Sequence, residues 1–384
     1  MNKSEISEIK KNFTEKGCAV SRICTCYVGG EKNKISQTSQ SFGTLPEAEA
    51  GRYLQLFKKG LSGTLGKNTL TMEFPLESEF QDGAQKFLLD LWDSHLQDEE
   101  LLEKFYDKII AGYPYTQNYL ILLADCNYDV PGRGSDLIEL TDASDEVYHY
   151  IYCCLCPVVL SKPGLTYAPA ENLFMDRICD WVVDAPAHAF LFPAFTNRST
   201  DLHSCLYFTK NSENAFEDFV FDLLGCTMPI TAGVQKEVFQ SILQETLGED
   251  GSLDVVKNIH DTLCDMMEEH KEDPVPLTFD KREVVNVLAK SGLEAPQLDS
   301  FEKHFDEAVG SEARLVASNI TPSRSFEVKT PDLVIKVNPE RSDLVETTSI
   351  DGRVYLLIEV TDQIEVNGIR LTAEADKTKS EQGY

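Results

Sequence analysis

The sequence predicts an α+β protein: a central, mostly antiparallel sheet with flanking helices, followed by a small C-terminal unit of helices and antiparallel β structure. Three observations carry this. Apolar runs of strand length fill the middle third, segments with helical apolar spacing stand before and after them, and alternating apolar residues flank Asp-Gly and Asn-Gly near the end. The expected domains are 1–248 and 249–371, with 372–384 a disordered tail.

Ile6, Ile9 and Phe13 fall at helical spacing and predict a short first helix. Gly17 to Tyr27 and Ile35 to Phe42 read as two strands around the Gly29-Gly30 turn. Pro46 opens a helix through Phe57. Acidic helices follow over Phe80 to His95 and Glu99 to Ala111, the second ended by Pro114. Strands are predicted at Asn118–Tyr128, Val147–Cys156, Ile178–Val183, Phe190–Phe195 and Leu202–Phe208, with Pro131, Gly132 and Gly134 in the loop between the first two. Helices stopped by Gly225 and Gly248 come next, then one over Leu253 to Met267 and two shorter ones, Lys281–Lys290 and Ala295–Val309. Alternation at Phe326/Val328, Leu333/Ile335/Val337 and Val354/Leu356/Ile358/Val360, with Asp351-Gly352 and Asn367-Gly368, predicts antiparallel hairpins.

The formal net charge is −29, which opposes attraction of the whole surface to nucleic acid or an anionic membrane. Residues 1–67 run against it: 11 Lys or Arg face 6 Asp or Glu, a local +5 that leaves −34 for the rest. No apolar stretch approaches the roughly 20 residues a membrane span needs, so no membrane partner is expected. Eleven cysteines, an odd number mostly within apolar runs, and an N-terminus without a secretory core predict a reducing, cytoplasmic setting with free thiols.

Gly63-Thr-Leu-Gly66-Lys67-Asn68 has the outline of a phosphate loop, but Leu61 stands at its first glycine and Asn68 where Ser or Thr would hold magnesium. Cys24/Cys26 and Cys153/Cys154/Cys156 lack the paired loop knuckles of structural zinc, and the seven histidines are scattered in sequence, so no metal or cofactor is expected. Asn197, Arg198, Asp201, His203 and Ser204 form the densest polar cluster between apolar strands. Arg198, Asp201 and His203 are the candidates for acid–base work, since that chemistry needs a carboxylate, an imidazole and a cation together. Lys10, Lys11, Arg22, Lys32, Lys34, Lys58, Lys59 and Lys67 are the candidates for a phosphate-contacting face.

Leu61–Asn68, Tyr128–Gly132, Leu160–Gly164, Asp180–Pro186, Phe190–Phe195, Asp201–Ser204, Lys303–Asp306 and Asn338–Glu346 together make the whole chain resemble an uncharacterised bacterial family, one of the domains of unknown function. A fainter likeness, in element order, is to the bacterial nucleoid-associated proteins of the NdpA type. It rests on the Phe219–Gly225 phrase with Gln235 after it, and on the terminal strands Ser325–Val337 and Arg353–Val360. That likeness implies a non-enzymatic protein touching DNA or a nucleoid protein through its basic N-terminal region. The alternatives are an enzyme using the Asp201/His203/Arg198 cluster and a homo-oligomeric scaffold built on the terminal strands.

Overall fold

A computed structural model describes residues 1–14, 17–75, 83–133, 139–212, 216–226, 228–248, 251–311, 313–321, 326–351, 353–359, 363–366 and 369–372. The chain forms two compact units: Met1–Val234 with Pro274–Pro276, and Gln235–Asp273 with Leu277–Tyr384. The division falls between Val234 and Gln235, where the sequence reading set its boundary after residue 248.

The first unit contains α1 (Lys3–Lys11), β1 (Val20–Val28), β2 (Lys34–Ser41), α2 (Glu47–Gly60), β3 (Thr69–Glu73), α3 (Ala84–Asp93), α4 (Glu99–Gly112), β4 (Tyr119–Arg133) and β5 (Glu139–Leu160). It continues with β6 (Leu165–Ala168), β7 (Leu173–Asp176), β8 (Trp181–Val183), β9 (His188–Phe192), β10 (Ala194–Thr196), β11 (Ser199–Asp201), β12 (Ser204–Thr209) and α5 (Glu217–Leu224). One eight-stranded sheet runs β2-β1-β4-β5-β9-β12-β3, with β8 added beside the end of β5. Its strand pairs are antiparallel. The predicted fold class holds.

Both faces of the sheet are apolar, and each carries its own helices. Cys24, Leu123, Ile151, Cys153 and Phe190 pack under α3, α4 and α5. Ile23, Leu122, Cys154 and Leu191 pack under α1 and α2, together with the three tyrosines of β5, Tyr148, Tyr150 and Tyr152. Helices on both sides are what a sheet without a polar face requires. α2 lies close to the sheet because Gly60 has no side chain: a Cβ there would overlap the Tyr152 hydroxyl. That hydroxyl donates instead to the Phe57 carbonyl at 3.0 Å.

Several element readings are corrected. The α3 helix starts at Ala84, and the predicted Phe80 start lies outside the described residues. Pro131 and Gly132 belong to the end of β4, at a register shift in its pairing with β5; a proline is tolerated in a ladder at such an irregularity. Gly134 lies outside the described residues. β3, β6 and β7 were not anticipated. Their short, mixed stretches carry no strong alternation, and β3 is fixed by pairing with β12.

The second unit is built from α6 (Ala232–Leu247) from Gln235 onward, α7 (Leu253–Glu269), β13 (Thr278–Phe279), α8 (Lys281–Lys290), α9 (Ala295–Ala308), β14 (Leu315–Val316) and α10 (Ala317–Ile320). Its core gathers Phe239, Ile259, Leu263, Leu288, Phe301, Phe305 and Leu315. Then come β15 (Phe326–Lys329), β16 (Val334–Val337), β17 (Val345–Ile350), β18 (Arg353–Ile358), β19 (Gln363–Val366) and β20 (Ile369–Thr372). These form three separate antiparallel pairs. Gly352, Asn367, Gly368 and the tail 373–384 lie outside the described residues. Gly225 and Gly248 take the left-handed conformation, as their place after α5 and α6 predicts. Among the described residues, no helix is long and apolar enough to cross a membrane.

Candidate metal centre

On the α3/α4 face, three neighbouring strands carry inward rows that are apolar until one end. The β1 row runs Val28, Cys26, Cys24 and then Arg22. The β4 row runs Tyr119, Ile121, Leu123 and then Asp125. The β5 row runs Leu155, Cys153, Ile151 and then His149. Register places these polar ends together, because Arg22 pairs with Asp125 across β1–β4 and Asp125 with Ile151, the neighbour of His149's row, across β4–β5.

The segment after α3 closes over them. His95 and Leu96 both have positive φ, a conformation uncommon outside glycine. Leu96 is thereby buried in the core and His95 is set outward beside the sheet. The His95 and His149 rings lie 4.2 Å apart at 31°, and Trp92 stacks on His149 at 5.0 Å. Trp92 Nε1 donates to the His149 carbonyl at 2.9 Å, fixing the indole against that ring.

Asp125 is the hub. Its side chain is 4% exposed. His149 Nε2 donates to Asp125 Oδ1 at 2.5 Å, His95 Nδ1 stands 3.5 Å from the same oxygen, and Ser21 Oγ donates to Oδ2. Burial alone would raise the Asp125 pKa. The hydrogen bonds from His149 and Ser21, with the charges of the two imidazoles, outweigh it and hold the carboxyl below its ordinary value. Above this hub opens a cleft of about 290 Å³, lined by Ser21, Arg22, Ser41, His95, Gln97, Asp125 and Asn127.

Two imidazoles and one carboxylate offer three donor atoms within 4.8 Å of one another. Tetrahedral zinc-type bonds of about 2.1 Å set ligand atoms roughly 3.4 Å apart. The His95–Asp125 spacing of 3.5 Å already has that value, and the His149–Asp125 hydrogen bond, at 2.5 Å, would have to open to it for an ion to be held by all three. Three protein ligands would leave a metal's remaining positions open to a further ligand. The histidines that look scattered in sequence are therefore partly gathered by the fold. The signal was present: on each of three strands the inward alternation ends on a polar residue. Only strand register, which the sequence does not print, shows that the three ends coincide.

The predicted sites are placed as follows. Asn197 and Arg198, both at positive φ, form the two-residue turn between β10 and β11. Arg198 donates to both Glu8 carboxylate oxygens, at 2.8 and 2.9 Å, and to the Pro131 carbonyl at 2.8 Å. Asp201 ends β11 and accepts from the His203 amide at 3.0 Å and from Ser204 Oγ at 2.6 Å. These bonds lower the Asp201 pKa against the upward pull of burial. Asp201 and His203 are thus neighbours, while Arg198 sits at the other end of β11 and is bound to Glu8 and Pro131. Asp201 and His203 do not share a strand face, because Leu202 and His203 form the turn before β12.

The eight basic residues are spread around the first unit. Lys10 donates to Ser62 Oγ beside the end of α2, which also carries Lys58 and Lys59. Lys11 is exposed in the last turn of α1. Lys34, at the β2 edge, is paired with Glu103 and with Asp107 at 2.7 Å, and Lys32 reaches the Ala111 carbonyl at 3.4 Å. Lys67 precedes β3, at the opposite edge, six strand spacings or roughly 29 Å away. Arg22 lies in the cleft.

The strand cysteines pack as apolar groups. Burial pushes the thiols of Cys26 and Cys156 up to about 11 and about 12, and those of Cys153 and Cys154 well above their ordinary value, so each is held protonated.

No curated protein matches the chain. A family model described as a domain of unknown function, DUF4317, matches residues 1–369, nearly the whole sequence, and the chain belongs to that family.

Proposed function

We propose that the protein binds a divalent transition-metal ion through His95, Asp125 and His149, and a small oxyanionic ligand on the metal's open positions. The observation that supports this most is the convergence of two imidazole nitrogens on one buried carboxylate oxygen at the floor of a polar cleft. Imidazole with carboxylate suits zinc, iron, nickel or copper better than calcium or magnesium. Arg22, which donates to Ser39 Oγ at 3.1 Å, supplies a fixed positive charge on the wall of the cleft for a carboxylate or phosphate group. The strained backbone at His95 favours the same reading, since such conformations collect at ligand sites.

The test uses Trp92 as reporter, because it stacks on His149. The chain has two tryptophans, so Trp181→Phe leaves Trp92 alone. Cobalt or nickel added to that variant is expected to quench its emission saturably, with one ion per chain by calorimetry. His95→Asn keeps a residue that tolerates positive φ and removes a ligand; it is expected to weaken binding at least tenfold. Absence of saturable binding, or equal binding by His95→Asn, would refute the proposal.

A further inference from the structure

We infer that the arm between Val158 and Val183 is the surface on which a second copy of this chain docks. The end of β5 pairs with β8, and beyond them β6 and β7 form a hairpin that, among the described residues, pairs only with itself. Two-stranded hairpins are marginal alone in water. This one is also apolar on the outside: eleven large apolar side chains between Val159 and Val183 are exposed, with Ile178 at 81%, Leu165 at 73% and Phe174 at 69%. Tyr167 and Phe174 sit opposite each other on one face of the hairpin, and Leu173 and Met175 lie on the other.

Area and charge together choose the occupant. At about 200 Å² per large side chain, exposures averaging near one half put on the order of 1,000 Å² of apolar surface on the arm. A stable interface needs roughly 800 Å² from each partner, which the arm supplies when both of its faces are covered. The segment 158–183 holds Lys162 and Arg177 against Glu171, Asp176 and Asp180, so it carries −1 of the chain's −29. A basic partner would be drawn to the acidic remainder rather than to this nearly neutral arm. A second copy meets this arm with an equally apolar, nearly neutral arm. Pairing β7 with its own copy about a two-fold axis joins the hairpins into a four-stranded sheet and removes the open edge.

The full chain, 43.1 kDa, is measured by sedimentation velocity from about 0.1 to 100 μM, a range that spans ordinary dimer affinities. The wild type is expected to approach about twice the monomer mass. Phe174→Glu/Ile178→Glu is expected to raise the dimer dissociation constant about 100-fold or more, as hot-spot losses do. Both side chains are exposed, so an unchanged near-UV spectrum is expected, and Leu165→Lys/Trp181→Lys provides a second, independent variant. A wild type that stays monomeric throughout, or a dimer that both variants leave intact, would overturn the inference. So would a monomer that floats with phosphatidylcholine vesicles, which would make the arm a lipid-binding surface instead.

Discussion

Replacing His188 by Gln should make the first unit markedly less sensitive to acid. His188 lies on β9 among Tyr113, Tyr207 and Phe216, with its Nδ1 2.7 Å from the Tyr207 hydroxyl. Burial disfavours the charged imidazole and lowers its pKa from 6.5 to about 4. The folded state therefore holds this histidine neutral, while the unfolded chain takes up a proton below pH 6.5. Its stabilising contribution is complete above that pH and is lost as pH falls toward 4. Proton linkage puts the loss at about 1.4 kcal/mol at pH 5.5 and about 2.5 kcal/mol at pH 4.5. The assay is urea unfolding from pH 7.5 to 4.5, followed by tryptophan emission. Both tryptophans, Trp92 and Trp181, belong to the first unit, so the signal reports that unit alone. The substitution adds a constant cost from altered packing, which does not depend on pH. What matters is the difference in slope: wild type should lose about 2.5 kcal/mol more than His188→Gln over this interval. Parallel curves would refute the reasoning and mean that the imidazole is solvated or charged in the fold.

Two further outcomes follow from packing and ion pairing. Gly60→Ala should cost about 2 kcal/mol by the same urea assay: overpacking costs about 1–3, the Tyr152–Phe57 hydrogen bond about 1, and helix propensity returns about 1. Arg198→Met should cost about 2 kcal/mol, since it leaves the half-buried Glu8 carboxylate without its guanidinium. Pairing it with Glu8→Gln should recover part of that loss, and a double variant no more stable than the single would refute the coupling.

Much of the fold is written locally. The helical spacing of Phe105 and Ile109, the apolar run in β4 and the glycines after α5 and α6 each state their element without help from distant chain. Of the strands that were missed, β3 depends on a distant partner: Thr69–Glu73 is a strand because β12 lies beside it. The site was hidden for a related reason. Asp125 reads as the polar end of an apolar strand and His149 as an interruption in another, and neither has a chemical meaning until register brings them within 2.5 Å. Conversely, the cluster around Arg198 and Asp201 stands out in sequence because tight turns concentrate polar residues, whatever else those residues do.

The strand β5 raises a question of how the chain finds its correct alignment. From Tyr150 to Leu155 both of its faces are buried, so a slip of one residue would not move apolar groups into water. Discrimination must come from volume instead. Tyr148, Tyr150 and Tyr152 fill one side, while Ile151, Cys153 and Leu155 fill the other. A slipped strand would force three phenol rings beneath α3 and α4 and leave voids beneath α1 and α2. It would also separate the Tyr148 and Tyr152 hydroxyls from the carbonyls of Pro193 and Phe57. Size, not polarity, is thus the code that makes this misalignment costly, and enlarging Cys153 while shrinking Tyr152 would erase it.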